Sequence, residues 1–132
     1  MIRNRAARGG IARRSRLTLA AMAVIIPLGH ALAQGIGGRY GIPQGAANAV
    51  CLPAALRFNA PVVPEAVDRL GRALGSEDAA AACTALAALG GFGRLRDLGV
   101  PEDDLGGLAE VVAARPGTRA NPRPADASAI EE

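Results

Sequence analysis

The chain has no lysine and no tryptophan, one histidine (His30), one tyrosine (Tyr40) and two phenylalanines (Phe58 and Phe92) in 132 residues. Each shortage excludes something. Half of the residues are apolar, but nearly half of these are alanine, and aromatic and β-branched residues, which favour sheets, are sparse. Such a composition suits closely packed helices, because alanine is the strongest helix former. A single histidine excludes a metal site built from several imidazoles of this chain, and it leaves no second imidazole for proton transfer. The two cysteines, Cys51 and Cys83, form no CxxC pair. In helical, apolar surroundings they read as reduced thiols that pack like small hydrophobes. No apolar run is long enough to span a bilayer: the longest, Leu17 to Leu28, has 12 residues, against a requirement of about 20. The length itself holds at most one ordinary domain.

The charge is unevenly spread. Arg3, Arg5, Arg8, Arg13, Arg14 and Arg16 stand in the first sixteen residues with no acid among them. From Leu17 onward nine arginines face twelve acids, a net of −3. The body is therefore mildly acidic, with no basic patch interleaved with aromatics, and nucleic-acid binding is excluded as a function of the folded part. Residues 1–16 read as a disordered basic arm. Residues 1–33 also imitate an export signal: a basic region ending in Arg13-Arg14-Ser15-Arg16, an apolar run, and a small-residue cleavage site at Ala31-Leu32-Ala33. The paired arginines fit the twin-arginine route. The chain is read as cytoplasmic, with Leu17–Gln34 as a buried helix. Export, with a mature protein beginning at Gln34 and Cys51 and Cys83 available to pair, is the alternative.

What is present is a string of helices. The first is expected from Leu17 to about Gly35, kinked at Pro27 and broken by Gly35-Ile36-Gly37-Gly38. The second should run from about Gln44 to Phe58, with Pro53 inside it and Asn59-Ala60-Pro61 after it. Pro64 opens the third at a position where its missing N–H costs little. Val67, Leu70 and Leu74 line its face, and Gly75 stops it. Ser76 or Asp78 caps the fourth, which should carry Ala82, Cys83, Leu86 and Leu89 inward and end at Gly90-Gly91. Leu95–Gly99 is a short connector. Pro101 begins the fifth, where Glu102, Asp103 and Asp104 complement the helix dipole and Leu105, Leu108 and Val112 form the buried stripe. Asn121-Pro122-Arg123-Pro124 reads as a rigid extended connector, and Asp126 to Glu132 as one last turn. The fold class is all-α, an array of about five helices.

The ordered set Gly29-His30, Gly37-Gly38, Pro43, Gly45, Asn48-Ala49, Leu52-Pro53 and Arg57-Phe58-Asn59 resembles the C-terminal helical domain of the iron-containing alcohol dehydrogenase family. Leu95-Arg96-Asp97-Leu98-Gly99-Val100-Pro101-Glu102-Asp103-Asp104-Leu105 and Asn121-Pro122-Arg123-Pro124 are similar to the tail of its maleylacetate reductase branch. The likeness spans about residues 17–125, read as one dehydroquinate-synthase-like domain, with 126–132 as a truncated tail. It implies NAD(P)H-linked carbonyl reduction, as of maleylacetate in aromatic degradation, with a divalent metal, iron or zinc, polarising the substrate oxygen. His30 falls where the family has its first metal histidine in this domain. Gln44 stands in place of the second, and Gln34 in place of a histidine near the substrate. The segment that holds the cofactor pyrophosphate has no counterpart here, and Gly35-Ile36-Gly37-Gly38 does not replace it. No catalytic or cofactor-binding residue is assigned. This chain alone is expected to hold neither metal nor NAD(P)H tightly, and to be catalytically impaired. A separately made N-terminal cofactor-binding half, or self-association, would supply its partner. A noncatalytic helical interaction module is the rival reading.

Overall fold

The structure is a computed structural model and describes residues 26–132. The basic arm, the start of the first helix, the basis for a kink at Pro27 and most of the export-like segment lie outside the described residues. Within them seven α-helices and two short 3-10 turns occur and no strand. In chain order α1 covers 26–40, α2 Gln44–Asn59, α3 Pro64–Ala73, α4 Ala79–Leu89, α5 Leu105–Ala113, α6 Pro116–Arg119 and α7 Ala127–Glu131. The 3-10 turns, Leu95–Leu98 and Glu102–Asp104, connect α4 to α5. The all-α class stands as the sequence implied.

Helix α2 is the hub. Its Cys51 joins a core made with Ala31, Ala33 and Ile36 of α1, Val100, and Leu108 and Val112 of α5. Its Leu56, fully buried, forms a second core with Ala79 and Ala80 of α4, backed by Val67 and Leu70 of α3. Alanine is the commonest buried residue in both, so the helices approach closely around a few larger side chains, and packing at that density depends on the absence of spare volume. Pro53 sits inside α2 and is buried. Ala31 and Ala33, the small residues of the export-like segment, lie within α1 at 1% and 0% exposure.

The first helix departs from the sequence expectation. It does not stop at Gly35 but runs through Gly35, Gly37 and Gly38 to Tyr40. The stop is Gly41, whose φ of 67° is left-handed and whose N–H donates back to the Gly37 carbonyl at 2.9 Å. Glycine disfavours helix interiors by about 1 kcal/mol each, so tertiary contacts hold this segment helical. A Cβ on Gly35 would come within 2.6 Å of Val112 Cγ2. The missing side chain is what lets α1 lie directly on α5.

Two further corrections concern burial and charge. Leu86 and Leu89 of α4 do not point inward; they are 56% and 86% exposed, and Ala79 and Ala80 are buried instead. Helix α4 is apolar nearly all round, so periodicity could not select its inner face. Asp78 caps it, accepting from the Ala81 N–H at 2.9 Å. The acidic trio also does more than complement a dipole. Asp104 accepts from Arg39 Nε at 2.7 Å, from the second guanidinium nitrogen of Arg39 and from the Tyr40 hydroxyl. This tie fastens the end of α1 to the start of α5.

The Arg57-Phe58-Asn59 and Asn121-Pro122-Arg123-Pro124 motifs meet in space. Asn59, fully buried, donates to Asn121 Oδ1 at 2.8 Å, and Asn121 donates back to Asn59 Oδ1 at 2.7 Å. Asn121 also donates to the Arg123 carbonyl at 2.7 Å. Arg123 donates to the Phe58 carbonyl at 2.9 Å and stacks 4.1 Å from the Phe58 ring centre. The segment after α6 is therefore latched onto the end of α2. Asp126 caps α7 through the Ala129 N–H, and Ile130 packs against the first core.

Candidate functional site

The three positions singled out in the sequence come together at one exposed rim. His30 and Gln34 lie one turn apart on α1, and Gln44 is the first residue of α2. Gln34 Nε2 is 3.0 Å from His30 Nε2, and Gln44 Nε2 is 3.3 Å from His30 Nδ1. The loop from Gly41 to Pro43 turns the chain sharply enough to bring the start of α2 back to the imidazole.

An amide NH2 group only donates, and a neutral imidazole offers one acceptor and one donor. One of the two glutamines must therefore present its oxygen to the ring. Arg115 decides which. It follows α5 and precedes Pro116, and its terminal nitrogens reach Gln34 Oε1 and the Gln34 carbonyl, each at 3.4 Å. A guanidinium has no acceptor, so it fixes the Gln34 oxygen toward itself and the Gln34 NH2 toward His30 Nε2. A neutral His30 ring in that arrangement has its proton on Nδ1, and it is met there by the Gln44 oxygen only if the Gln44 amide, whose Nε2 lies 3.3 Å from Nδ1, is flipped. Arg115 was not picked out by the sequence reading, and only its place beside a helix-opening proline hinted at a fixed backbone there.

Both ring nitrogens of His30 are thus engaged by neutral amides. Among the described residues no three His, Cys, Asp or Glu side chains gather where they could hold an ion, and residues 1–25 contain none of these four types. A catalytic metal of the iron or zinc kind takes at least three such donors. The donors of this chain do not fit a tightly held ion. Nor does the glycine-rich segment form a phosphate cradle, because Gly35, Gly37 and Gly38 are inside α1 with their N–H groups committed to the helix. The two thiols do not add to the site. Cys51 is buried in the first core, and burial pushes its thiol up to about 12. Cys83 is half-buried and also raised by burial.

Among the described residues, then, an all-α domain carries a single histidine bracketed by two glutamines where α1 meets α2. The family model described as Fe-containing alcohol dehydrogenase family, C-terminal, matches residues 3–132. The chain belongs to that family. It is 39% identical over 103 residues to maleylacetate reductase of Sphingobium indicum, covering 77% of this chain and 29% of that protein. It is 37% identical over 106 residues to 1,3-propanediol dehydrogenase of Klebsiella pneumoniae, covering 71% and 27%. Among solved structures, maleylacetate reductase from Agrobacterium tumefaciens superposes with a TM-score of 0.67 at 32% identity, covering 79% of this chain and 29% of that one. The maleylacetate reductase from Rhizobium sp. strain MTP-10005 gives 0.67 at 31%, with the same coverage. The chain spans about three-tenths of the length of the relatives it matches. Among the described residues, no helix is long and apolar enough to cross a membrane.

Proposed function

We propose that this chain is the helical half of an NAD(P)H-linked oxidoreductase of the maleylacetate reductase type, and that it forms one wall of an active site completed by a cofactor-binding half. The observation that carries this reading is the pairing of a helical domain, matched at about three-tenths of the relatives' length, with an exposed His30 flanked by Gln34 and Gln44. In this reading the cofactor segment, a tightly held metal and turnover require the cofactor-binding half. The basic arm at 1–16, the domain at 17–125 and the tail at 126–132 remain the division we propose, in a cytoplasmic setting.

The test is complementation. The N-terminal part of a maleylacetate reductase, expressed by itself, is mixed with this chain, and NADH oxidation at 340 nm is followed with maleylacetate. The proposal predicts no turnover by either part alone and measurable turnover by the mixture. Turnover by this chain alone refutes the impairment. Absence of both complex and turnover in the mixture refutes the two-part reading. A noncatalytic interaction module is the second reading, favoured by one observation: Leu86 and Leu89 stand exposed on α4 at 56% and 86%, beside an apolar cavity of about 320 Å³ lined by Leu52, Cys83 and Phe92.

A further inference from the structure

We propose that Arg115 is the docking point for the carboxylate of a small organic acid, with Gln34 and His30 beside it. The guanidinium is under-satisfied. Its Nε is buried and has no hydrogen-bond partner among the described residues, and its two terminal nitrogens have only the 3.4 Å contacts to the oxygens of Gln34. Those contacts are long for N–H···O bonds, whose usual distance is about 2.9 Å. Among the described residues no carboxylate pairs with Arg115, whereas Arg39 pairs with Asp104. Residues 1–25 contain no Asp or Glu, so no acidic side chain from that stretch can pair with it.

The placement is built rather than incidental. The side chain lies along α1 over two glycines: a Cβ on Gly35 would meet Arg115 Nε at 3.7 Å, and one on Gly38 would meet a terminal nitrogen at 3.9 Å. Its backbone is set by Pro116 at the start of α6. A half-buried guanidinium whose acceptors among the described residues are weak neutral oxygens is the group best suited to a carboxylate, because the planar fork bonds both oxygens at once and the bonds are charge-assisted. Gln34 is then an internal stand-in that a better acceptor displaces. Its release leaves His30 Nε2 open toward the same ligand.

The substrate consequence rests on the oxidoreductase reading above: an oxo acid would be held by its carboxylate, and a neutral diol would not. The binding claim does not rest on turnover, so the two can fail separately. The test uses the purified full chain with succinate, 1,3-propanediol and sodium chloride at matched ionic strength, followed by calorimetry and by the Arg Nε–H and glutamine side-chain signals in proton–nitrogen NMR. Succinate is expected to bind and to shift the Arg115 and Gln34 signals, weakening as salt is raised, while the diol and chloride leave them in place. Arg115→Met, which keeps the stem packed over Gly35, is expected to lose about tenfold or more in affinity. Arg115→Lys, a point charge without a fork, should fall between. Gln34→Ala, removing the exposed internal competitor, should bind succinate more tightly. The proposal is overturned if the wild-type chain does not bind succinate, if chloride gives the same shifts, if Arg115→Met binds as the wild type does, or if Gln34→Ala weakens binding.

Discussion

Replacing Asn59 with alanine isolates the latch that ties the end of α2 to the segment after α6. Asn59 is fully buried, and its amide makes both of its side-chain contacts with Asn121, at 2.8 and 2.7 Å. The substitution removes two neutral hydrogen bonds, each worth about 1 kcal/mol net, and leaves the Asn121 oxygen and one of its N–H groups buried without partners, at about 1–3 kcal/mol. The second N–H of Asn121 keeps the Arg123 carbonyl, so the loss is partial. The expected destabilisation is about 3–5 kcal/mol, a large fraction of a small domain's stability of about 5–15 kcal/mol. Urea unfolding of the full chain, followed by circular dichroism at 222 nm, measures it. The reciprocal geometry makes a sharper demand on a double-mutant cycle. Asn121→Ala orphans Asn59 in the same way, but the double variant orphans neither side. The double variant should therefore cost less than the sum of the two single variants, with a coupling of at least about 1 kcal/mol. Additive single effects, or an Asn59→Ala cost under about 0.5 kcal/mol, would show that the two amides do not hold each other.

Three further perturbations test other joints. Gly35→Ala gains about 1 kcal/mol of helix propensity but places a Cβ 2.6 Å from Val112 Cγ2, an overpacking worth about 1–3 kcal/mol; unfolding should show little change or a net loss of up to about 2 kcal/mol, turning to a gain in a Val112→Ala background. The Arg39 guanidinium and then the Tyr40 hydroxyl hold the Asp104 carboxyl below the usual carboxylate range; a lowered folded value stabilises above the unfolded value of about 3.9 and is lost as pH falls below it, so Asp104→Asn should flatten the acid limb of the stability curve, and an unchanged acid limb counts against the tie. In thiol titration with a chromogenic disulfide at pH 8, Cys83 should label first and Cys51, buried and pushed up to about 12, only on unfolding; equal rates would contradict the packing.

The parts of this fold that punctuation controls were legible from residues alone. Pro64, Gly75, Asp78 and Pro101 set the ends of α3, α4 and the turn before α5 where local chemistry places them. What local chemistry could not reveal was any choice made by a distant neighbour. Gly35, Gly37 and Gly38 read as a break, yet they lie within α1, and at Gly35 the missing side chain makes room for α5. Leu86 and Leu89 read as core, yet in a helix with no polar face only the packing partner selects the inner side. At the candidate site, His30, Gln34 and Gln44 were legible through family-like spacing. Arg115 was not, because its link to Gln34 crosses 81 residues. The Asn59–Asn121 pair, 62 residues apart, was hidden for the same reason: each half looked like an ordinary helix end or connector.

The central claim is that the helical scaffold of a metal-dependent oxidoreductase family is present here around a histidine whose neighbours are amides. Calorimetric titration of the metal-free, purified full chain with zinc ions near neutral pH tests it most directly. The account predicts no stoichiometric uptake and no difference between the chain and its His30→Ala variant. One tightly bound ion per chain, abolished by His30→Ala, would contradict it.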